Sequence, residues 1–335
     1  MNQLSFTKLA VKVAEFLGKY RKRERNNNNP TSSSLDNKEA ILLLEGLAER
    51  IKKENLTENV PVSFILARIE VAQYHLIDSN VTVARDYIDE CIELVETMPI
   101  TPPMSVQASV YRISALYDKI SLNYSDFYRH TLLFLASCDE VGVSEEKKQE
   151  IAHDLCISAL LADDIFNFGE LLENSILKVL IGTRFEFLLN LISSFNSGDL
   201  NSLNSEFDHP ALTAHLPFLK EKLCLMSLAQ LLFLQIKNDR RVSFVTISNE
   251  TKVPIDQVEF LLIRAISCKI IRGIIDQVDG FITINWIQPR LLDNHQIGDL
   301  YNAISTWNKK VTHTLEIVQD MRDKGVFTES TTTII

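Results

Sequence analysis

Glycine and proline are scarce in this 335-residue sequence, at ten and nine residues, which points away from a loop-rich fold and toward long regular elements joined by short turns. Long apolar runs are missing too. Stretches such as Ile41 to Leu44 and Leu132 to Ala136 fall far below the roughly 18 to 20 residues a membrane-spanning helix needs. Basic residues are outnumbered, 34 Lys plus Arg against 44 Asp plus Glu for a net charge of −10, so the chain as a whole repels phosphate backbones. The five cysteines, Cys91, Cys138, Cys156, Cys224 and Cys268, are odd in number, widely spread and never in a Cys-x-x-Cys pair. They read as reduced structural thiols, with the cytoplasm and nucleus as the expected setting. From Met1 to Leu17, Lys8, Lys12 and Glu15 interrupt the apolar residues at helical spacing, unlike a secretory signal.

Chemical motifs are equally absent. No Gly-x-Gly-x-x-Gly or Walker-type loop offers backbone N–H groups to a nucleotide phosphate. The seven histidines, His75, His130, His153, His209, His215, His295 and His313, show no zinc-binding spacing. Ser-x-x-Lys occurs at Ser5/Lys8, Ser144/Lys147 and Ser175/Lys178. Ser144 is better explained as a helix cap, since Glu145 and Glu146 follow it where carboxylates suit the helix dipole. His153 and Cys156 stand three apart, but no glycine-rich oxyanion-hole candidate flanks them, and Cys156 reads as a small hydrophobe. The expectation is a protein that is not an enzyme, with no catalytic residue, cofactor or metal.

Apolar residues are plentiful, at 46%. A helix is expected over residues 1–25, closing on the basic run Lys19, Arg21, Lys22, Arg23 and Arg25 near its negative pole. Residues 26–37, with their Asn and Ser tracts, cannot bury apolar surface and are expected to be a disordered loop. Residues 38–214 read as amphipathic helices broken by short turns, an α-solenoid arm of helix pairs. In one pair, Val62 to Ile77 and Val81 to Met98, the second helix gathers Ala84, Ile88, Cys91, Ile92 and Val95 on one face. Such stripes are covered only by neighbouring helices.

Residues 215–292 are expected to form a separate module, within which the period changes after Asn238. Arg241 to Phe244 is a strand candidate, Thr246 to Thr251 a short helix, and Pro254 opens a second helix through Val258, Leu261, Leu262, Ala265 and Ile266. The β-branched runs Ile270 to Asp276 and Phe281 to Ile287, joined through Val278-Asp279-Gly280, form a hairpin. Together these make a winged helix. The candidate DNA-reading helix carries Asp256 and Glu259 and is otherwise apolar enough to read as buried on nearly every side. Arg240, Arg241, Lys252, Arg264, Lys269, Arg272 and Arg290 against Glu250, Asp256, Glu259, Asp276 and Asp279 leave only +2 over residues 240–290, a weak phosphate footprint. Protein docking is the expected role, with a nucleic-acid-binding winged helix as an alternative. On the second wing strand Ile282, Ile284 and Trp286 are expected on one face and Phe281, Thr283, Asn285 and Ile287 on the other. Unpaired sheet edges there would accept a neighbouring chain, so Phe281, Ile282, Thr283, Ile284 and Trp286 are candidate interface residues. A C-terminal helix is expected over residues 293–324, its regular course starting after Gly298. There Leu300, Ile304, Trp307, Val311, Thr314, Val318 and Met321 step by fours and threes, a bundle seam that serves as a second candidate interface. Residues 325–335 are expected to be a disordered tail.

Helix pairs leading into a winged helix and a long tail helix resemble the PCI architecture of scaffold subunits in the proteasome lid, the signalosome and a translation-initiation complex. The segments Phe166-Asn167-Phe168-Gly169-Glu170-Leu171-Leu172, Phe195-Asn196-Ser197-Gly198, Val258-Glu259-Phe260-Leu261, Gly273-Ile274-Ile275-Asp276-Gln277-Val278-Asp279 and Trp286-Ile287-Gln288-Pro289-Arg290 more closely resemble the proteasome non-ATPase regulatory subunit 13 family. The resemblance runs in order from about residue 40 to 320. It implies a non-catalytic lid subunit of the 26S proteasome regulatory particle, acting in ubiquitin-dependent degradation within a hetero-oligomer. It further implies other lid PCI subunits as partners through the winged helix and C-terminal helix, and a neighbouring ubiquitin receptor beside the arm, with no nucleic acid or membrane. A PCI scaffold of the signalosome or of a translation-initiation complex stays as the alternative. Helices that the family usually carries before the first one here are missing from the resemblance.

Overall fold

The computed structural model describes residues 3–25, 33–54, 62–98, 101–138, 144–200, 210–235, 240–291 and 294–323. The Asn/Ser tract at 26–32 and the tail from 324 lie outside the described residues. Residues Met1–Ile287 hold one compact unit and Gln288–Ile335 a second.

The first unit begins with seven helices in succession: α1 (Gln3–Arg25), α2 (Ser33–Glu54), α3 (Val62–Ile77), α4 (Val81–Thr97), α5 (Met104–Ser121), α6 (Tyr124–Ser137) and α7 (Glu145–Leu161). α2 opens at Ser33, so part of the stretch expected as loop is helical. The amphipathic spacing explains the stack. Ile65, Ile69, Ala72 and Leu76 of α3 meet Ala84, Ile88 and Cys91 of α4 and Val106, Val110 and Ile113 of α5 in one buried cluster, each helix covering the apolar stripe of the next. Turns are tight. Leu122 closes α5 in the left-handed conformation, φ 57°, and α6 starts two residues later. Ser144 stands at the N-terminal boundary of α7, but its hydroxyl makes no capping hydrogen bond. The Glu145 and Glu146 carboxylates in the first turn remain favourably placed against the dipole.

After α7 the chain forms α8 (Gly169–Glu173), a 3₁₀ turn at Ser175–Leu180, α9 (Glu186–Ser197), α10 (Pro210–Ala214) and α11 (Leu216–Gln235). Gly198 ends α9 at φ +73°, and a Cβ there would stand 2.8 Å from Ser227 Cα of α11. Only glycine suits both the left-handed backbone and that approach.

The winged helix follows: β1 (Arg241–Ser243), α12 (Phe244–Thr251), α13 (Ile255–Ser267), β2 (Ile271–Asp276) and β3 (Phe281–Ile287). Ser243 caps α12 by accepting the Thr246 N–H at 3.2 Å. Gly280 takes φ +66° in the β2–β3 turn, where Asp276 Oδ1 accepts the Asp279 N–H at 3.1 Å. The strands form one antiparallel sheet in the order β1-β3-β2. Its inner face joins a core that extends without a break through α13, α11, α9 and α7.

The second unit is described by α14 (Asn294–Asp323). The helix begins before Gly298 and runs through it. Its 30 residues extend about 45 Å.

Candidate protein interface

Strand order decides which sheet atoms a partner can reach. β3 is central, paired to β1 through Arg241↔Thr283, Val242↔Ile282 and Ser243↔Phe281, and to β2 along its whole length. Its backbone is therefore paired on both sides from Phe281 to Ile284, where the Ile284 N–H still donates to the Arg240 carbonyl, and its strand pairing from Asn285 to Ile287 is with β2. The three-residue β1 and the six-residue β2 are the edges among the described residues.

The face assignment also changes. Arg272 pairs with Trp286 but Gly273 pairs with Ile284, so Asn285 is an extra residue in a β-bulge. One extra residue reverses the alternation. Ile282 and Ile284 are fully buried, and Ile287 packs against the same core, so Ile282 and Ile284 hold the module together and cannot contact a partner. Trp286 is turned to the outer face with Phe281 and Thr283 and is 37% exposed. The bulge needs Gly273, where a Cβ would lie 2.6 Å from the Thr283 carbonyl oxygen.

The candidate DNA-reading helix is not buried on nearly every side. In α13, Val258, Leu261, Leu262 and Ala265 form the buried stripe. Phe260, 72% exposed, and Ile263 stand outside it, with Ile255 also exposed. Two further apolar side chains are open on the wing, Ile274 of β2 and Val278 in its turn. Phe260, Ile263, Ile274 and Val278 were missed by the sequence reading. A helical wheel of α13 could have found the first two, because they fall off the 258/261/262/265 stripe. Glu259 accepts a hydrogen bond from Gln277 at 2.9 Å, and Arg264 pairs with Glu221 at 3.1 Å. The outward face of α13 thus carries carboxylates and exposed apolar groups, a surface suited to protein and not to phosphate.

In α14, Leu300, Ile304, Trp307, Val311, Val318 and Met321 are all exposed, Trp307 at 67%. Leu315 and Ile317 add to the apolar surface. Thr314 bonds back to the Lys310 carbonyl at 2.9 Å.

The residues with candidate chemistry, His153 and Cys156, have structural roles. Burial pushes the Cys156 thiol up to about 12, away from a reactive thiolate, while His153 contacts Asp154 at 3.2 Å and tilts onto the Phe185 ring at 4.4 Å. None of the five cysteines forms a disulfide. Among the described residues no group of His, Cys, Asp or Glu could hold a metal ion, and no helix is long and apolar enough to cross a membrane.

One buried charge stands out. Lys222 of α11 is 2% exposed, and its Nζ donates to the carbonyl oxygens of Ala159, Leu160 and Ala162 at 2.8, 3.2 and 2.6 Å. These are orphan carbonyls at the end of α7, so the lysine acts as a distant C-cap. Phe166, Phe168 and Phe218 put their rings 5.3 to 5.9 Å from the same nitrogen. Burial lowers Lys222 to about 7, against the opposing pull of Asp163 and Asp164. Phe168 in turn meets Phe195 edge to face at 5.8 Å.

Comparison with known proteins ties these features together. The family described as "PSD13 N-terminal repeats" matches residues 1–192, and "PCI domain" matches residues 200–286. The chain is 35% identical over 292 residues to the 26S proteasome non-ATPase regulatory subunit 13 homolog B of Arabidopsis thaliana, covering 84% of this chain and 74% of that protein. The chain belongs to the proteasome non-ATPase regulatory subunit 13 family. The 26S proteasome regulatory subunit RPN9 of Saccharomyces cerevisiae is 32% identical, over 79% of this chain and 68% of its own. Similarity also reaches eukaryotic translation initiation factor 3 subunit M of Xenopus tropicalis, at 26% identity over 50% of this chain and 46% of that one. In this member of the family the two matched regions are bolted together by Lys222, on α11 in the PCI stretch, reaching back to α7 in the repeats. Phe166, Phe168, Phe195 and Gly198, which stood out in the sequence, surround or support that joint.

Proposed function

We propose that the chain is a structural, non-catalytic subunit of the lid of the 26S proteasome regulatory particle. It joins other PCI subunits through its winged helix and C-terminal helix, in the cytoplasm and nucleus, and its arm extends toward a neighbouring ubiquitin receptor. The observation that carries the reading is the apolar seam of α14, exposed from Leu300 to Met321. A helix with that pattern is stabilised by entering a bundle with other helices. The β2 edge, with Trp286, Phe281 and Thr283 on the outer sheet face and Phe260 and Ile263 on α13, forms the second contact region. The acidic and apolar outward face of α13 favours this reading over nucleic-acid binding.

The test is replacement of Ile304, Trp307 and Val311 by glutamate in the full chain, expressed in cells that lack the wild-type copy. The variant is expected to remain folded by circular dichroism yet be absent from affinity-purified proteasome particles. Its recovery at wild-type level would refute the role given to the tail helix.

A further inference from the structure

The arm carries a groove that the contacts of the winged helix and tail helix leave unused. α6 lines it with Phe127, Thr131 and Phe134, which follow at the four- and three-residue spacing of one helix face, and α5 and α7 supply the rest of the lining. The cavity holds about 510 Å³, inside the roughly 300 to 1,000 Å³ of sites that seat a ligand. Ala115 and Leu116 of α5 and Ile151 of α7 add to the apolar lining.

One polar group in that lining is unsatisfied. Thr131 is 3% exposed, and its hydroxyl oxygen has no hydrogen-bond partner among the described residues. Other buried helical hydroxyls turn back onto their own helix, as Ser114 donates to the Val110 carbonyl at 3.0 Å and Thr251 to that of Ile247 at 2.7 Å. Thr131 forgoes that bond and keeps a donor and an acceptor for a group entering the groove.

The charges along the groove set the chemistry of the occupant. Lys119 of α5 pairs with Asp154 of α7, and Arg112 is held by Glu70 at 3.3 Å and Gln73 at 2.9 Å. Lys147 has no ion-pair partner among the described residues. It stands three residues from Ser144, whose hydroxyl makes no capping bond, at the positive end of α7. Glu145 in that first turn is engaged by Lys148 at 3.1 Å, which leaves Glu150 as the opposing charge nearest to Lys147 on this wall. A carboxylate therefore fits the Ser144 and Lys147 end.

We propose that this groove seats a short extended segment of a protein partner. An apolar side chain enters over Phe127, Phe134 and Ile151, a backbone amide meets the Thr131 hydroxyl, and a carboxylate two positions along meets Lys147 and Ser144. Side chains two apart in an extended chain share a face at about 7 Å. A peptide brings the amide that a fatty acid of equal apolar bulk lacks. This surface is separate from the winged helix and tail helix, and the inference does not depend on their role.

The test is methyl NMR of the full chain labelled at isoleucine, leucine and threonine. The probe is a blocked glycine-serine heptapeptide with leucine and glutamate two positions apart, titrated beside a lysine-for-glutamate twin, an alanine-for-leucine twin and decanoate. The probe is expected to shift the Thr131 and Ile151 methyls and to bind about tenfold more tightly than either twin. Lys147→Glu should reverse the preference toward the lysine twin, and Glu150→Gln should tighten the glutamate peptide about two- to threefold. Thr131→Val should weaken binding severalfold while thermal stability holds or rises, because an unpaired hydroxyl gives the fold nothing to lose. Thr131→Val that loses stability and keeps its affinity would show a purely structural threonine and overturn the proposal. Shifts centred outside the groove, equal response to probe and twins, response to decanoate alone, or no response would overturn it as well.

Discussion

Replacing Lys222 with methionine tests the joint between arm and winged helix. Methionine is unbranched and apolar, so it fills the channel between Phe166, Phe168 and Phe218 without leaving a large void. It cannot donate to the Ala159, Leu160 and Ala162 carbonyls. Leaving a buried acceptor unpaired costs about 1 to 3 kcal/mol, and the relief of no longer burying an ammonium offsets part of that loss near neutral pH. In the fold, burial lowers Lys222 from 10.5 to about 7, so the unfolded chain holds this proton more tightly than the folded one does. Its contribution therefore improves as pH rises from about 7 toward 10.5, by at most about 1.4 kcal/mol per pH unit. Lys222→Met is expected to destabilise by roughly 1 to 3 kcal/mol at pH 7. At pH 9 the gap from wild type should widen by roughly 2 kcal/mol. Parallel urea unfolding of both proteins at the two pH values measures this, since groups common to both cancel in the difference. A gap that stays constant with pH would show that the carbonyl cage keeps the ammonium charged and that burial is not the dominant influence. A variant as stable as wild type at both pH values would refute the joint itself.

The other predictions concern packing. Gly198→Ala forces a Cβ onto the Ser227 backbone at 2.8 Å and a side chain onto φ +73°, and is expected to cost about 2 to 4 kcal/mol in chemical denaturation. Ile284→Ala removes a fully buried side chain and should cost about 2 to 5 kcal/mol. Trp286→Ala, on the outer face, should stay within about 1 kcal/mol of wild type. Gly273→Ala places a Cβ 2.6 Å from the Thr283 carbonyl oxygen and should broaden or shift the β2 and β3 amide resonances, while α3 to α5 keep theirs.

Much of this fold was readable because its signals are local. The stripe Ala84, Ile88 and Cys91 needs only helical periodicity, and the β2–β3 hairpin needs only two β-branched runs around Gly280. The interface was harder because it depends on pairing between distant segments. Whether β3 is an edge is settled by β1, which lies 38 residues earlier and contributes three. The bulge at Asn285 leaves no strong sequence mark, because it arises from the backbone approach at Gly273, and it moved Trp286 to the face opposite Ile284. Lys222 carried a faint signal as a charge among Leu219, Leu223 and Met226 on the buried side of α11. Its partners at the end of α7 are about 60 residues away and only tertiary structure brings them together. The seam of α14 was plain from spacing alone, since an exposed apolar stripe stays on its helix whatever surrounds it.

The most direct measurement of the scaffold role is quantitative mass spectrometry of proteins that co-purify with the tagged full chain from cells expressing it at native level. The account predicts stoichiometric recovery of proteasome regulatory-particle subunits, lost when the seam residues Ile304, Trp307 and Val311 become glutamate. Recovery of translation-initiation or signalosome subunits in their place, or of no stoichiometric partner, would contradict it.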